Sequence, residues 1–308
     1  MQSRKTSIGV FLLVLCVSVA IAAAPTVSFT FRDVLATLTA QETDTYGMNN
    51  SRAIAGDYVD SSGIQHAVIL GGYKAFTSVD RSDCVNSPGS TSIAFYGINS
   101  AGVAAGWCTS KSGPEIGFTW ARGKGFTDIT IAGATLVNAI GINDSGSVVG
   151  TYVDSGGVQH GFLLEGGTLT KLDPPGVVSL ATAWGINNSG VITVYGYNSS
   201  STYLSFTTAD KGKTYIPYHA PGEGSIGTAI HEINNNGDFV ATYFDSSSNR
   251  HGVLYHNGTS YSFDDPNGVG STRAVGINDQ LIIVGRYGSG AYGGVGFQAV
   301  TQGSSARQ

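Results

Sequence analysis

The stretch "IGINDSGSVVG", Ile140 to Gly150, decides the fold, because it recurs. Its relatives are "YGMNNSRAIAG" (46–56), "YGINSAGVAAG" (96–106), "WGINNSGVITV" (184–194), "HEINNNGDFVA" (231–241) and "VGINDQLIIVG" (275–285). The shared asparagines, Asn49, Asn99, Asn143, Asn187, Asn234 and Asn278, are spaced 50, 44, 44, 47 and 44 residues apart. That period is the length of a four-stranded propeller blade. Seven residues beyond each Asn stands a small residue or valine: Gly56, Gly106, Gly150, Val194, Ala241 and Gly285. Ten further on, a strand begins at His66, Ile116, His160, Leu204, His251 and Val295, so both offsets hold in all six units without a gap.

Each unit reads as four strands, A to D. Strand A ends in the "GIN" run, strand B is of the "VVGTY" type, strand C of the "HGFLL" type and strand D of the "LTKLD" type. Breakers such as "DPPG", "DDPNG" and "APG" precede the next strand A. The sixth unit ends after "VGFQAV" with no room for a strand D, while "TVSFTFRDVL" (Thr26 to Leu35) is a spare strand at the other end of the chain. Pairing the two would remove two open sheet edges. The expected fold is therefore all-β, a six-bladed β-propeller closed by the N-terminal strand, with an open β-solenoid as the alternative. Residues 25–300 form one domain in this reading, and 301–308 a disordered tail.

Composition agrees. Charged residues are only 12% of the 308, and glycine numbers 44, as short strands joined by tight turns require. No lysine- or arginine-rich patch marks a nucleic-acid partner. The opening "MQSRKTSIGVFLLVLCVSVAIAAAPTVS" has the basic start, short apolar run and small residues of a secretory signal peptide, residues 1–24. An uncleaved N-terminal anchor competes with that reading, whereas a lipoprotein reading of Cys16 fails because Leu15 precedes it. Cleavage would leave no transmembrane segment, an acidic chain, and an even cysteine pair, Cys84 and Cys108. In an exported protein such a pair is expected to form a disulfide, here because neighbouring blades bring their D–A and B–C connections to one face.

The units resemble the repeats of the HAF family of extracellular repeat proteins, named for a His-Ala-Phe-type strand; "HGF" and "HAV" are the matching tripeptides here. The likeness runs over about residues 44–300. It implies a bacterial, exported repeat protein, extracellular or periplasmic, and implies no reaction. Some relatives carry a membrane-sorting tail; "TQGSSARQ" has no hydrophobic stretch, so a form without a cell anchor is expected.

Aligning the units separates scaffold from candidate site. An aspartate and a histidine six residues apart occur together in alternate units, as Asp60 and His66, Asp154 and His160, Asp245 and His251, and vanish together in the others. Flanking the B–C connection, each pair reads as a structural staple of its own hairpin. One His and one carboxylate per blade are too few for a zinc or calcium site, so no metal and no cofactor is expected. The asparagine column reads the same way, as turn-forming residues rather than a sugar-binding ring.

A site grafted on a repeat should stand out as a departure from it. Glu232 occupies a column that otherwise holds Gly47, Gly97, Gly141, Gly185 and Gly276, with His231 before it and His219 and Glu223 upstream. His219, His231 and Glu232 are thus the candidate ligand-binding residues near the channel, the plainer alternative being a carboxylate that points into the water-filled channel or pairs with Arg273 on the next blade. No catalytic motif is present. The expected function is an exported, non-catalytic binding module for glycan or protein. The alternatives are a purely structural envelope or matrix protein, and a propeller hydrolase or lyase acting on polysaccharide.

Overall fold

The computed structural model describes residues 27–34, 40–71, 75–89, 92–290 and 293–302; the expected signal peptide lies outside them. Among the described residues there are strands and no helix. After a first strand, β1 (Ser28–Val34), come four strands β2 (Glu42–Met48), β3 (Ile54–Val59), β4 (Gln65–Gly71) and β5 (Ala75–Val79), which form blade 1. Blade 2 is β6 (Ile93–Ile98), β7 (Ala104–Thr109), β8 (Glu115–Ala121) and β9 (Gly125–Asp128); blade 3 is β10 (Leu136–Ile142), β11 (Val148–Val153), β12 (Gln159–Glu165) and β13 (Thr168–Leu172). Blade 4 is β14 (Ser179–Ile186), β15 (Ile192–Tyr197), β16 (Tyr203–Thr208) and β17 (Ile216–Tyr218). Blade 5 is β18 (Thr228–Ile233), β19 (Phe239–Phe244), β20 (Arg250–His256) and β21 (Thr259–Phe263). Blade 6 is β22 (Arg273–Ile277), β23 (Ile282–Gly290) and β24 (Gly293–Gln302), and its fourth strand is β1.

The ring closes through that exchange. β1 lies antiparallel to β24 with Ser28 opposite Gln302 and Val34 opposite Gly296. Phe29 packs tilted against Phe263 at 4.5 Å and Phe31 edge-on against Phe297 at 5.6 Å, so the strand is held by aromatic packing as well as by its ladder. β2 of blade 1 touches β24 of blade 6 in parallel at Thr43 and Val295, and the innermost strands β2, β6, β10, β14, β18 and β22 neighbour one another in a circle. This excludes the open solenoid. The strand β24 runs on to Thr301 and Gln302, which the expected tail had included; 303–308 lie outside the described residues.

Blades pack face to face through side chains of alternate residues. Val149, Leu163 and Leu172 of blade 3 bury against Ala183, Ile192 and Val194 of blade 4, each pair of blades repeating the pattern. Near the axis the backbones come too close for side chains: a Cβ on Gly97 would lie 2.5 Å from the Ile140 carbonyl, and one on Gly141 2.5 Å from that of Trp184. This close approach is what the "GIN" glycine provides. The residue just before it points into the axis, where Tyr46, Ile140, Trp184 and Val275 pack together with Tyr96 and Ala94. That layer, with Tyr46 and Tyr96 stacked at 4.2 Å, divides the channel into two unlike mouths.

Cys84 and Cys108 form the expected disulfide, with Cα atoms 5.9 Å apart and a separation of 24 residues. It ties the loop after blade 1 to strand β7 of blade 2, where Cys84 also bridges Ser110. A cross-link of this length stabilises by about 3 kcal/mol in the chain-entropy account.

Candidate functional site

One mouth is ringed by the repeat asparagines. Each Asn side-chain oxygen accepts from the backbone of its own turn, as Asn143 Oδ1 does from Ser147 N–H at 3.0 Å. Its amide then donates to the carbonyl of the next blade's Asn: Asn49 to Asn99 at 2.9 Å, Asn99 to Asn143 at 3.1 Å, Asn143 to Asn187 at 3.2 Å and Asn187 to Asn234 at 3.1 Å. Asn234 to Asn278 at 3.2 Å and Asn278 back to Asn49 at 3.4 Å complete the circle. The turn role is readable in one unit; the inter-blade donor exists only once the ring is closed. A second set, one residue on, is stitched likewise, Ser100 N–H to Asp144 Oδ1 at 2.8 Å and Asn235 N–H to Asp279 Oδ1 at 2.8 Å. The cavity they enclose is small, about 60 Å³.

Glu232 lines that small cavity, half-buried, while His231 faces the opposite way. Each lines a cavity that the other does not, so the two candidates belong to different mouths. Burial pushes the Glu232 carboxyl up to about 8, opposed only by the Ile233 N–H. Arg273 is not its partner: the guanidinium Nη2 donates toward His231 Nε2 at 3.4 Å and lies 5.6 Å from the Trp184 ring. His219 joins neither mouth. It is exposed, its Nδ1 2.6 Å from Glu223, whose other oxygen accepts from the Thr228 hydroxyl. The three candidates therefore do not form one site.

The alternating aspartate–histidine pairs lie at the blade hairpins. Asp154 Oδ1 accepts from Gly156 and Val158 N–H at 2.9 Å each, and its second oxygen is 3.2 Å from His160 Nε2. His160 Nδ1 faces a further carboxylate, Asp173, at 2.9 Å, and its ring lies over Tyr152. Asp60 and Asp80 flank His66 at 3.5 and 2.7 Å, and Asp245 and Asp264 flank His251 at 3.3 and 3.0 Å. Asp80, Asp173 and Asp264, each directly after its blade's fourth strand, form a column whose role shows only beside that of the histidines. Turn amides hold Asp60 and Asp154 below the usual carboxylate range, and Asn249 with its N–H takes Asp245 down to about 2. Among the described residues no group of three such side chains is disposed to hold a metal.

The second mouth, where the B–C and D–A connections emerge, breaks the repeat. Between blades 4, 5 and 6 lies a cavity of about 300 Å³ walled by Tyr195, Tyr203, Phe244 and three arginines, Arg250, Arg273 and Arg286, with His231 in its wall. Backbone bonds fix the walls: Tyr203 N–H donates to the Ile226 carbonyl at 2.8 Å and Arg250 N–H to that of Gly270 at 3.0 Å. The rings of Tyr203 and Phe244 are parallel at 5.9 Å, Tyr195 stands edge-on to Tyr203 at 5.7 Å, and the Arg250 guanidinium lies 5.8 Å from the Phe244 ring.

The three arginines differ in what balances them. Arg286 has its counter-charge in buried Asp44, to which it is ion-paired. That pair belongs to a knot on blade 1, where Gln65 holds Asp57, Tyr46 Oη donates to Asp44 at 3.2 Å, and the Glu42 carboxyl is pushed up to about 7 by burial and then by Asp44. Arg250 and Arg273 have no ion-pair partner among the described residues. His231 is fully buried and held neutral by burial and by the guanidiniums of Arg273 and Arg286. Its Nε2 must accept from Arg273, which has no lone pair to offer, so Nδ1 carries the proton and is buried without an acceptor. Such an orphan costs about 1–3 kcal/mol, in a column that holds Tyr46, Tyr96, Ile140, Trp184 and Val275 in the other blades.

No protein-family model matches the chain, and no curated protein matches it significantly. Solved structures do. The lectin of Aleuria aurantia, in complex with alpha-methyl-L-fucoside, aligns over 88% of this chain and 98% of its own at TM-score 0.52 and 12% identity. AofleA from Arthrobotrys oligospora aligns over 91% of this chain and 89% of its own at TM-score 0.54 and 12% identity. Trypanosoma rangeli sialidase aligns over 90% of this chain and 60% of its own at TM-score 0.50 and 10% identity. The Aleuria aurantia lectin is described as a six-bladed β-propeller, and at these identities the likeness establishes that fold for the present chain.

Proposed function

We propose that this protein is an exported, non-catalytic β-propeller that binds glycans, and that it does so at the arginine-lined mouth. The observation that carries the proposal is the cavity of about 300 Å³ in which aromatic faces stand beside fixed guanidinium donors. A sugar offers apolar C–H faces and hydroxyl acceptors together, and a pocket of mixed aromatic and planar donor groups suits both. No aspartate or glutamate is among the described residues lining it, which favours binding over glycoside hydrolysis, since that chemistry ordinarily needs two carboxylates about the bond. Titratable groups in the wall also stand far from neutral pH: Tyr195 is pushed up to about 12 by burial and His231 is driven down. The Aleuria aurantia lectin, which shares the six-bladed architecture, was solved in complex with alpha-methyl-L-fucoside.

The same reading takes the repeats as HAF-type and the chain as exported to an extracellular or periplasmic compartment. The Cys84–Cys108 disulfide supports an oxidising destination, and among the described residues no helix is long and apolar enough to cross a membrane. The test is a glycan array probed with the parent protein, Arg273→Gln and Glu232→Gln. Binding to one or more glycans that is lost in Arg273→Gln and kept in Glu232→Gln is expected. Binding lost only in Glu232→Gln would move the site to the other mouth, and an empty array would contradict the reading.

A further inference from the structure

Resting on the glycan reading, we infer that the ligand of this mouth is an acidic saccharide, a sugar whose carboxylate or sulfate is clasped by Arg250 and Arg273. The inference comes from a charge imbalance built into the site. Arg286 is balanced by Asp44, but among the described residues Arg250 and Arg273 stand beside it with no carboxylate of their own. Arg250 is crowded: burial, and then the charges of Arg273 and Arg286, lower its guanidinium from the ordinary range. A chain with 21 acidic and 16 basic residues had carboxylates to spare for this mouth, and on blade 1 it uses them, with Asp44 and Asp57 in the columns that hold Arg273 and Arg286 on blade 6.

His231 sharpens the point. A carboxylate at that position would hold Arg273 and cancel its charge; a neutral imidazole accepts one hydrogen bond and cancels nothing. Trp184 and Phe244 support the Arg273 and Arg250 guanidiniums through their ring faces, again without neutralising them. His231 is thus a positioning residue, and the two guanidiniums remain charged, oriented and half-buried, the state in which a planar, bidentate oxyanion is bound best. Tyr203 and Phe244 beside them distinguish a sugar acid from a bare inorganic anion, because they give its ring an apolar wall.

The experiment is calorimetric titration of the secreted protein with four probes: a galacturonic acid trimer, a neutral galactose trimer, a sulfated galactose trimer and benzoate. The acidic trimers should bind at least about tenfold more tightly than the neutral one, the value of a charge-assisted hydrogen bond. The carboxylated and sulfated arms tell which anion is preferred. Arg250→Gln and Arg273→Gln should each lose about tenfold toward the acidic probes and little toward the neutral one, with near-ultraviolet dichroism confirming the fold. Should a variant not fold, the parent protein alone decides through added salt, which should weaken acidic binding and leave neutral binding unchanged. Neutral and acidic trimers binding alike, independent of salt and equally weakened by Arg273→Gln, would overturn the inference and leave the glycan reading standing. Benzoate binding as tightly as the sugar acids would keep the anion clasp and overturn the glycan reading. Silence from all four probes would overturn the inference, while the glycan reading falls only with an empty array.

Discussion

The two mouths of the channel are made from the same six strands and turn out as opposites. At the asparagine mouth every blade contributes the same residue, each amide reaches its neighbour, and the result is a closed circle of hydrogen bonds around a cavity of about 60 Å³. At the other mouth the blades disagree: carboxylates gather on blade 1, guanidiniums on blades 5 and 6, aromatic rings on blades 4 and 5, and a cavity of about 300 Å³ opens between blades 4, 5 and 6. Identical asparagines satisfy one another and leave little room for a ligand. Divergent parts leave charge unbalanced and a donor unpaired, and such groups are where function is sought on a repetitive scaffold.

Several changes would break or sharpen that contrast. The largest effect is expected from deleting residues 27–34, because both mouths exist only in a closed ring; losing β1 bares the edge of β24 and the faces of Phe263 and Phe297. The truncated protein should lose cooperative unfolding and aggregate, and a sharp calorimetric transition from it would refute closure as the source of stability. Next, Asn143→Ala should cost about 1–3 kcal/mol in urea unfolding, since it orphans the Ser147 N–H and cuts the link to blade 4, while leaving ligand affinity alone. Arg273→Gln should do the reverse, and a pair of variants with the same phenotype would erase the distinction between the mouths.

A pH effect comes third. Glu232 holds its proton in the folded state up to about 8, against 4.5 when unfolded. Its contribution is fully present below about 4.5 and is lost as pH rises through about 8. Melting temperatures of Glu232→Gln should therefore pull ahead of the parent progressively across that window; parallel curves would mean the carboxylate is solvated. The smallest effect belongs to His160→Leu, which imitates Leu204 of blade 4. Its Asp154 turn survives, as the Asn198 turn does with Oδ1 accepting from Ser200 and Thr202 N–H at 2.8 and 3.0 Å, so a stability change within about 1 kcal/mol is expected. A loss of several kcal/mol would show the alternate hairpins to be more than local staples.

Fold and site were legible to very different degrees. Blade number, strand order and the closing strand follow from the spacing of six asparagines and from a sixth unit lacking its last strand, because a four-stranded sheet needs a fixed length of chain. The disulfide was legible too, since it needs only to know which connections share a face. The site was not, although its signal is present. Five residues before each Asn stand Asp44, Ala94, Asn138, Thr182, Ala229 and Arg273, and eight after it Asp57, Trp107, Thr151, Tyr195, Thr242 and Arg286. These columns carry opposite charges on blades 1 and 6, which become neighbours only when the ring closes. Columns that repeat draw the eye, whereas the informative ones were those in which charge changes sign. Glu232 illustrates the trap: as the most conspicuous departure it points into the satisfied mouth, while the less conspicuous His231 beside it serves the other.

The most direct measurement is a crystal structure of the protein soaked with an acidic oligosaccharide. Sugar density between Arg250 and Arg273, packed on Tyr203 or Phe244, is the predicted result. Density seated instead in the asparagine ring beside Glu232, or on the outer faces of the blades with the arginine mouth empty, would contradict the account.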